Sequence, residues 1–161
     1  VQTCALPIWP LTEAHGVFVS IHKGERLRGC VGNIVSSDPL YEAAAHCAVA
    51  AATSDPRFPA VTLSEMNNVW FEISVLTKPI GLSNIEDIEI GKHGLIVSKG
   101  SARGLLLPQV ATHFGWDRIQ FLKETCTKAG LHPDAWKDGA TLQYFTAEVF
   151  REHTHAPTSI S

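Results

Sequence analysis

The stretch from Val69 to Leu76 sets Val69, Phe71, Ile73 and Val75 on one side of an extended chain and Trp70, Glu72, Ser74 and Leu76 on the other. A period of two is the signature of a strand with two distinct faces. The same alternation starts at Gly16, with Val17, Val19 and Ile21 opposed to Phe18, Ser20 and His22. Gly24-Glu25-Arg26 then turns the chain and Leu27 to Asn33 returns, so the first two strands read as a hairpin. Two further apolar runs, Gly94 to Ser98 and Ala102 to Leu107, lie either side of Lys99-Gly100-Ser101 and predict a second hairpin. Asp138-Gly139 leads into Thr141 to Phe150, a last strand.

Helices fall between these strands. Asp38-Pro39 reads as an N-cap with proline at the first helical position, and Tyr41 to Ala52 is rich in alanine, the best helix former. Leu40, Ala44, Cys47, Ala48 and Ala51 make a stripe of mostly small residues that lets this helix lie close against a sheet. Asp55-Pro56 ends it, and Arg57-Phe58-Pro59 continues as a stiff loop. Lys78-Pro79 breaks the strand before it, and Ile80 to Ile90 predicts a loop with one short helical turn. Pro108 opens a short helix, Gln109 to Phe114, closed by Gly115. Asp117 and Gln120 have capping-box spacing before a helix with the stripe Ile119, Leu122, Cys126, Ala129, stopped by Gly130. Strands and helices do not keep a strand-helix-strand rhythm, and hairpins recur. The expected class is therefore α+β, with a central, mostly antiparallel sheet and flanking helices.

With 161 residues, the chain suffices for one domain with a proper core. Its expected span is residues 16–150, followed by a polar, loosely ordered tail from Arg151 to Ser161. Val1 to Pro10 begins without Met, and Cys4-Ala5-Leu6-Pro7-Ile8 has neither a strand nor a helix period, reading instead like a translated sequencing adapter. Residues 1–15 are thus expected to be a suspect or truncated segment. A net charge of −3 and the absence of any Lys/Arg run disfavour nucleic acid as a partner. No run of about eighteen apolar residues exists to cross a membrane. The four cysteines, Cys4, Cys30, Cys47 and Cys126, form no C-x-x-C pair, which fits free thiols in a reducing cytoplasm.

The chemistry concentrates in Leu27-Arg28-Gly29-Cys30-Val31-Gly32-Asn33. On a regular strand Arg28 and Cys30 share a face, and Gly29 and Gly32 leave backbone open beside them. A guanidinium fork next to a thiol suits an anionic or carbonyl group, and a nearby positive charge favours a thiolate. The plainer alternative makes the glycines strand irregularities, Cys30 a core residue and Arg28 the partner of a surface carboxylate. Arg57, stiffened by Asp55-Pro56, is expected at the border of the same cleft, with a loop-tying ion pair as the equal alternative. His22 and His46 are candidate bases for a nucleophilic Cys30, although spacing places neither beside it. No His-x-x-x-His, paired-carboxylate or cysteine spacing supplies a metal centre, and the sequence leaves the cofactor unknown. Trp70, Trp116 and Trp136 are expected to be structural.

Several stretches follow one another in a recognisable order: Leu27-Arg28-Gly29-Cys30-Val31-Gly32, Asp55-Pro56-Arg57-Phe58-Pro59, Gly94-Leu95-Ile96-Val97, Gly104-Leu105-Leu106-Leu107-Pro108-Gln109-Val110-Ala111, Gly115-Trp116-Asp117 and Cys126-Thr127-Lys128-Ala129-Gly130-Leu131. From about Gly16 to Phe150 the chain resembles the AMME chromosomal region (AMMECR) domain family, whose prokaryotic members include protein A of the AmmeMemoRadiSam system. The resemblance implies a central antiparallel sheet, a smaller second subdomain and a cleft lined by the Leu-Arg-Gly-Cys motif. It also implies the company of a Memo-like protein and a radical S-adenosylmethionine enzyme, hence a modification pathway. Members of the family carry a helical segment before the first strand, where only Val1 to Pro10 stands here. The surface such a helix would cover is expected to promote association. Where an arginine- and glycine-rich turn is expected, Ser101-Ala102 leaves Arg103 alone. Two functions follow as expectations: a ligand-binding or accessory protein that holds an anionic small molecule or peptide on Arg28 and Arg57, or a thiol enzyme with Cys30 as nucleophile.

Overall fold

A computed structural model describes residues 11–152. The strands are β1 (Gly16–Lys23), β2 (Arg26–Asn33), β3 (Val69–Leu76), β4 (Ile80–Gly81), β5 (His93–Lys99), β6 (Ala102–Leu106) and β7 (Thr141–Arg151). The helices are α1 (Leu40–Thr53), α2 (Pro108–Phe114) and α3 (Arg118–Lys128), with short 3-10 turns at Leu63–Asn68, Ile85–Asp87 and Ala135–Lys137. The class is α+β, as the alternation of Val69 to Leu76 and the two hairpins require. Two compact units form, one from the chain up to Val75 together with the chain from Val149, the other from Leu76–Glu148. β7 runs out of the second unit into the first.

In the first unit the strand order is β2-β1-β3. α1 covers one face, and Val17, Val19, Leu40, Ala43, Cys47 and Val75 form its core, with Phe71, Ile73 and Phe150 packed against them. The small-residue stripe allows close approach: an added Cβ on Gly29 would lie 2.2 Å from the Ala51 carbonyl oxygen, a backbone atom. Glycine at 29 is thus a packing requirement. Gly29→Ala should destabilise the protein by about 2 kcal/mol, read as a lower urea midpoint at unchanged slope.

The start of α1 differs from the expectation. Its N-cap position is Pro39, with ψ 144° and no side-chain cap, and Asp38 lies outside. The preceding chain does the work of a cap: Ala14 bridges Pro39, and the Leu40 and Tyr41 amides donate to the carbonyls of Glu13 and Leu11.

In the second unit the order is β7-β5-β6, with β4 also pairing β7, and the pairings are antiparallel. Ile88, Leu95, Ala111, Phe121 and Leu122 form one core cluster, and Val97, Cys126 and Ala135 another. Asp117 caps α3 through the Gln120 amide, and Gly115 closes α2 at φ 66°. The buried face of α3 carries Phe121, Leu122, Thr125 and Cys126, while Ile119 is exposed. The stripe is rotated toward Phe121, whose ring offers more area to bury than Ile119 does. β4 was not expected within the predicted loop.

Arg151 belongs to β7 rather than to a loose tail. Its Nε donates to Glu72 Oε2 at 2.6 Å, and the Glu152 amide donates to the Phe71 carbonyl. The expectations for residues 1–10 and 153–161 lie outside the described residues.

Candidate functional site

β1 and β2 are joined by Gly24-Glu25, with Gly24 at φ 59°, and Lys23 faces Arg26. From there the register runs His22 opposite Leu27, then shifts, so that Ile21 faces Gly29 and Ser20 faces Cys30. Arg28 is the extra residue of a β-bulge. The bulge bends the strand and breaks the simple alternation, so the two-residue spacing of Arg28 and Cys30 no longer implies a shared face.

Their partners are different. Arg28 grips Glu65 in two places, Nε to Oε1 at 3.2 Å and Nη2 to Oε2 at 3.1 Å. It also donates to the carbonyls of Pro59 at 2.7 Å and Ala60 at 3.2 Å. Glu65 in turn completes a capping box with Thr62 at the Leu63–Asn68 turn and meets Lys23 at 3.4 Å. The Arg28 guanidinium and the other donors draw the Glu65 carboxyl down to about 2. Arg28 is thus a tie between the bulge and the loop after α1, the plainer of its two readings.

Cys30 is built in from the other direction. Its amide donates to Asp55 Oδ2 at 2.9 Å, and its carbonyl accepts from Arg57 Nη2 at 3.2 Å. Both groups therefore point to the outer edge of β2, and Ser20 and Cys30 form a non-hydrogen-bonded cross-strand pair, the type whose side chains sit closest. Accordingly Ser20 Oγ donates to Cys30 Sγ at 3.2 Å. Asp55, 5% exposed, also takes Arg57 Nε at 2.9 Å, Arg57 Nη2 at 2.7 Å and the Arg57 amide at 3.0 Å. The Arg57 guanidinium holds the Asp55 carboxyl well below the usual carboxylate range, against burial and with the Cys30 and Arg57 amides assisting. Asp55 in turn pushes the Arg57 pKa further up, against burial and with a smaller contribution from Cys30.

Arg57 itself is half-exposed, its side chain at 55%, and lies over the Phe58 ring at 5.4 Å. Among the described residues its Nη1 makes no hydrogen bond, so a fixed cation presents an open donor beside a half-buried thiol. Of the two other expected residues, Gly29 serves the packing of α1. At Gly32 a Cβ would fall 2.3 Å from the Phe18 ring, so Gly32 makes room for an aromatic side chain. His22 stacks on Trp70, centroids 4.2 Å apart, and burial lowers its pKa while Glu72 raises it. His46 lies on α1. Among the described residues no group of three His, Cys, Asp or Glu is arranged to hold a metal. Ser20, Asp55 and Glu65 were not among the expected site residues. Thr62-Leu63-Ser64-Glu65 carries the capping-box pattern and so a local signal for Glu65.

The chain matches the AMMECR1 family over residues 4–150. A protein of Methanosarcina mazei is 49% identical over 145 residues, covering 87% of this chain and 73% of its own length. A Pyrococcus furiosus protein, PF1979, is 48% identical over 153 residues, with 88% and 73% covered. The crystal structure of PH0010 from Pyrococcus horikoshii, titled an uncharacterized protein, superposes with a TM-score of 0.84 at 45% identity, covering 89% of this chain and 76% of that one. This is an α+β domain built on antiparallel pairing, with a thiol pinned to a sheet edge by an aspartate-arginine loop. The chain belongs to the AMMECR1 family.

Proposed function

We propose that this domain is a cytoplasmic ligand-binding or accessory component of an AmmeMemoRadiSam-type modification system, and that it takes an anionic group of a small molecule or peptide at Arg57 beside Cys30. The observation that carries the reading is the Arg57 guanidinium, fixed by Asp55 and the Cys30 carbonyl yet half-exposed, with Nη1 open among the described residues. A planar cation held in place loses little freedom on gripping a carboxylate or phosphate. Arg28 and the motif glycines shape the site from behind, through the bulge and the seat of α1. The system's Memo-like protein and radical S-adenosylmethionine enzyme are the partners proposed for it, by family company alone.

Calorimetric titration with a panel of dicarboxylates, phosphate esters and short acidic peptides tests this. Arg57→Lys keeps the charge, loses the fork and should weaken any ligand found about tenfold or more. Arg28→Lys should leave its affinity within about threefold once the variant is shown to be folded. The opposite order would reject the reading.

The Ser20 hydroxyl on Cys30 favours a second reading, in which Cys30 acts as a nucleophile and the hydroxyl and Arg57 face its sulfur. Turnover abolished by Cys30→Ser with ligand binding retained would select that reading over simple binding.

A further inference from the structure

Among the described residues, the second unit has one strand at the end of its order whose outer side is open. There β6 pairs only with β5, and the two are joined by Gly100-Ser101, with Gly100 at φ 59°. A two-residue turn of this kind makes its flanking pair, Lys99 and Ala102, a hydrogen-bonded one. Alternation then assigns the N–H and C=O groups of Gly104 to β5, and those of Arg103 and Leu105 to the outer edge. Among the described residues no backbone or side-chain group bonds to Arg103 or Leu105 from that side.

A five-residue edge bearing an arginine is also what a protein uses to discourage unwanted pairing. That explanation leaves the neighbouring cavity unaccounted for. On the face that Gly104 and Leu106 share, an open cavity of about 360 Å³ is lined by Leu106, Trp116, Glu124, Thr127 and Lys128. Gly104 lets α3 come this close, since a Cβ there would sit 2.4 Å from the Ala129 amide nitrogen. Trp116 is backed by Phe114, stacked at 4.8 Å and 61% exposed, so the wall of the cavity is aromatic. Of its two charged side chains, Glu124 already accepts from Gln120 Nε2 at 2.7 Å, whereas Lys128 has no ion pair among the described residues. Arg103 has none either. Two cations thus flank the open edge, Lys128 of α3 on the cavity face and Arg103 on the opposite face.

We propose that β6 is a docking edge for an extended acidic segment of another protein, which adds as a strand against Arg103 and Leu105 and seats one large apolar side chain in the Trp116–Leu106 cavity. Strand addition supplies main-chain hydrogen bonds, and the pleat sends every second side chain of the added strand to the cavity face. A carboxylate two residues from the apolar anchor then falls on the same face as Lys128. A second copy of this chain is the poorer occupant, because two β6 edges meeting would bring Arg103 of each close together.

The probe is the capped pentapeptide Glu-Val-Phe-Val-Glu, titrated into the 15N-labelled protein. It should quench or shift Trp116 fluorescence, move the Arg103, Leu105 and Leu106 amide resonances together, and slow hydrogen exchange at Arg103 and Leu105. Lys128→Glu, a surface change at the end of α3, should weaken binding at least tenfold. Leu105→Pro removes an outward N–H without taking a bond from β5 and should abolish binding in a variant that keeps its circular dichroism. Saturable shifts that map away from β6, or binding undiminished in Lys128→Glu, would overturn the proposal. Protection of the Arg103 and Leu105 amides that grows with protein concentration alone would assign the edge to a second copy and overturn it equally.

Discussion

Asp55→Ala is expected to lower stability by roughly 3 kcal/mol, a large effect for one side chain on a loop. Asp55 is buried and accepts two backbone amides, those of Cys30 and Arg57, as well as two bonds from the Arg57 guanidinium. Removing it leaves a half-exposed arginine without its partner and two amides without an acceptor. Buried donors left unsatisfied cost about 1–3 kcal/mol each, and breaking a buried ion pair about 3–5. The lower end applies because Arg57 retains contact with water.

The pH dependence has a definite sign. The folded carboxyl of Asp55 is more acidic than the unfolded one, so its stabilisation is present in full above the ordinary aspartate range and is lost as pH falls below about 4. Chemical unfolding between pH 7 and pH 3 should therefore show a steeper acid loss for the native chain than for Asp55→Asn. Parallel curves would mean that the carboxylate is not held by Arg57.

Arg28→Ala should rank second, with a loss of about 2–3 kcal/mol. Four hydrogen bonds end on this guanidinium, two of them to backbone carbonyls of the loop after α1, and its side chain is only 13% exposed. Charge-assisted bonds contribute about 1.5–3 kcal/mol when one partner is truncated, and the two carbonyls recover water in part. Arg28→Lys keeps a charge near Glu65 but not the fork, and should fall between. Urea midpoints at neutral pH measure both. If Arg28→Ala were as stable as the native chain, the tie between bulge and loop would have no energetic role, and Arg28 would again be free for a ligand. Glu65 adds an acid limb of the same sign as Asp55, its stabilisation fading as pH falls from the ordinary glutamate range toward about 2.

Much of the fold was legible because local pattern and tertiary burial agree in it. Val17, Val19 and Ile21 alternate in the sequence and lie buried in β1; Gly115 and Gly130 take the positive φ values that their helix ends call for. The site was legible only in part, and the bulge is the reason. Counting back from the Gly24-Glu25 turn with no shift puts Ser20 opposite Gly29. One inserted residue moves it to Cys30 and redirects Arg28 to Glu65. Nothing in Leu27-Arg28-Gly29-Cys30 marks which residue is the extra one, because a bulge is decided by what packs against it. Here that is the Ala51 carbonyl over Gly29 and the Asp55-Arg57 loop along the edge at Cys30.

Asp55 illustrates a second limit. In the sequence it ends α1 before Pro56, and that role is sufficient to explain it. Its carboxylate meets Cys30 only because α1 returns the chain along β2, a placement fixed 25 residues away. Asp38 shows the converse, since a side chain well suited to capping is passed over when the Glu13 and Leu11 carbonyls reach the first helical amides instead.

The central claim, an anion site on Arg57 beside Cys30, has a direct test in which the thiol is its own reporter. Cys30 is alkylated in parallel with iodoacetate, which is anionic, and iodoacetamide, which is neutral and otherwise alike, and its modification is followed by peptide mass spectrometry. Relative to free cysteine, the native chain should favour iodoacetate by about tenfold or more, as one well-placed cation permits. Arg57→Gln should erase that preference, and a folded Arg28→Lys should keep it. A preference no different from that of free cysteine, or one that disappears with Arg28 and survives the loss of Arg57, would contradict the account.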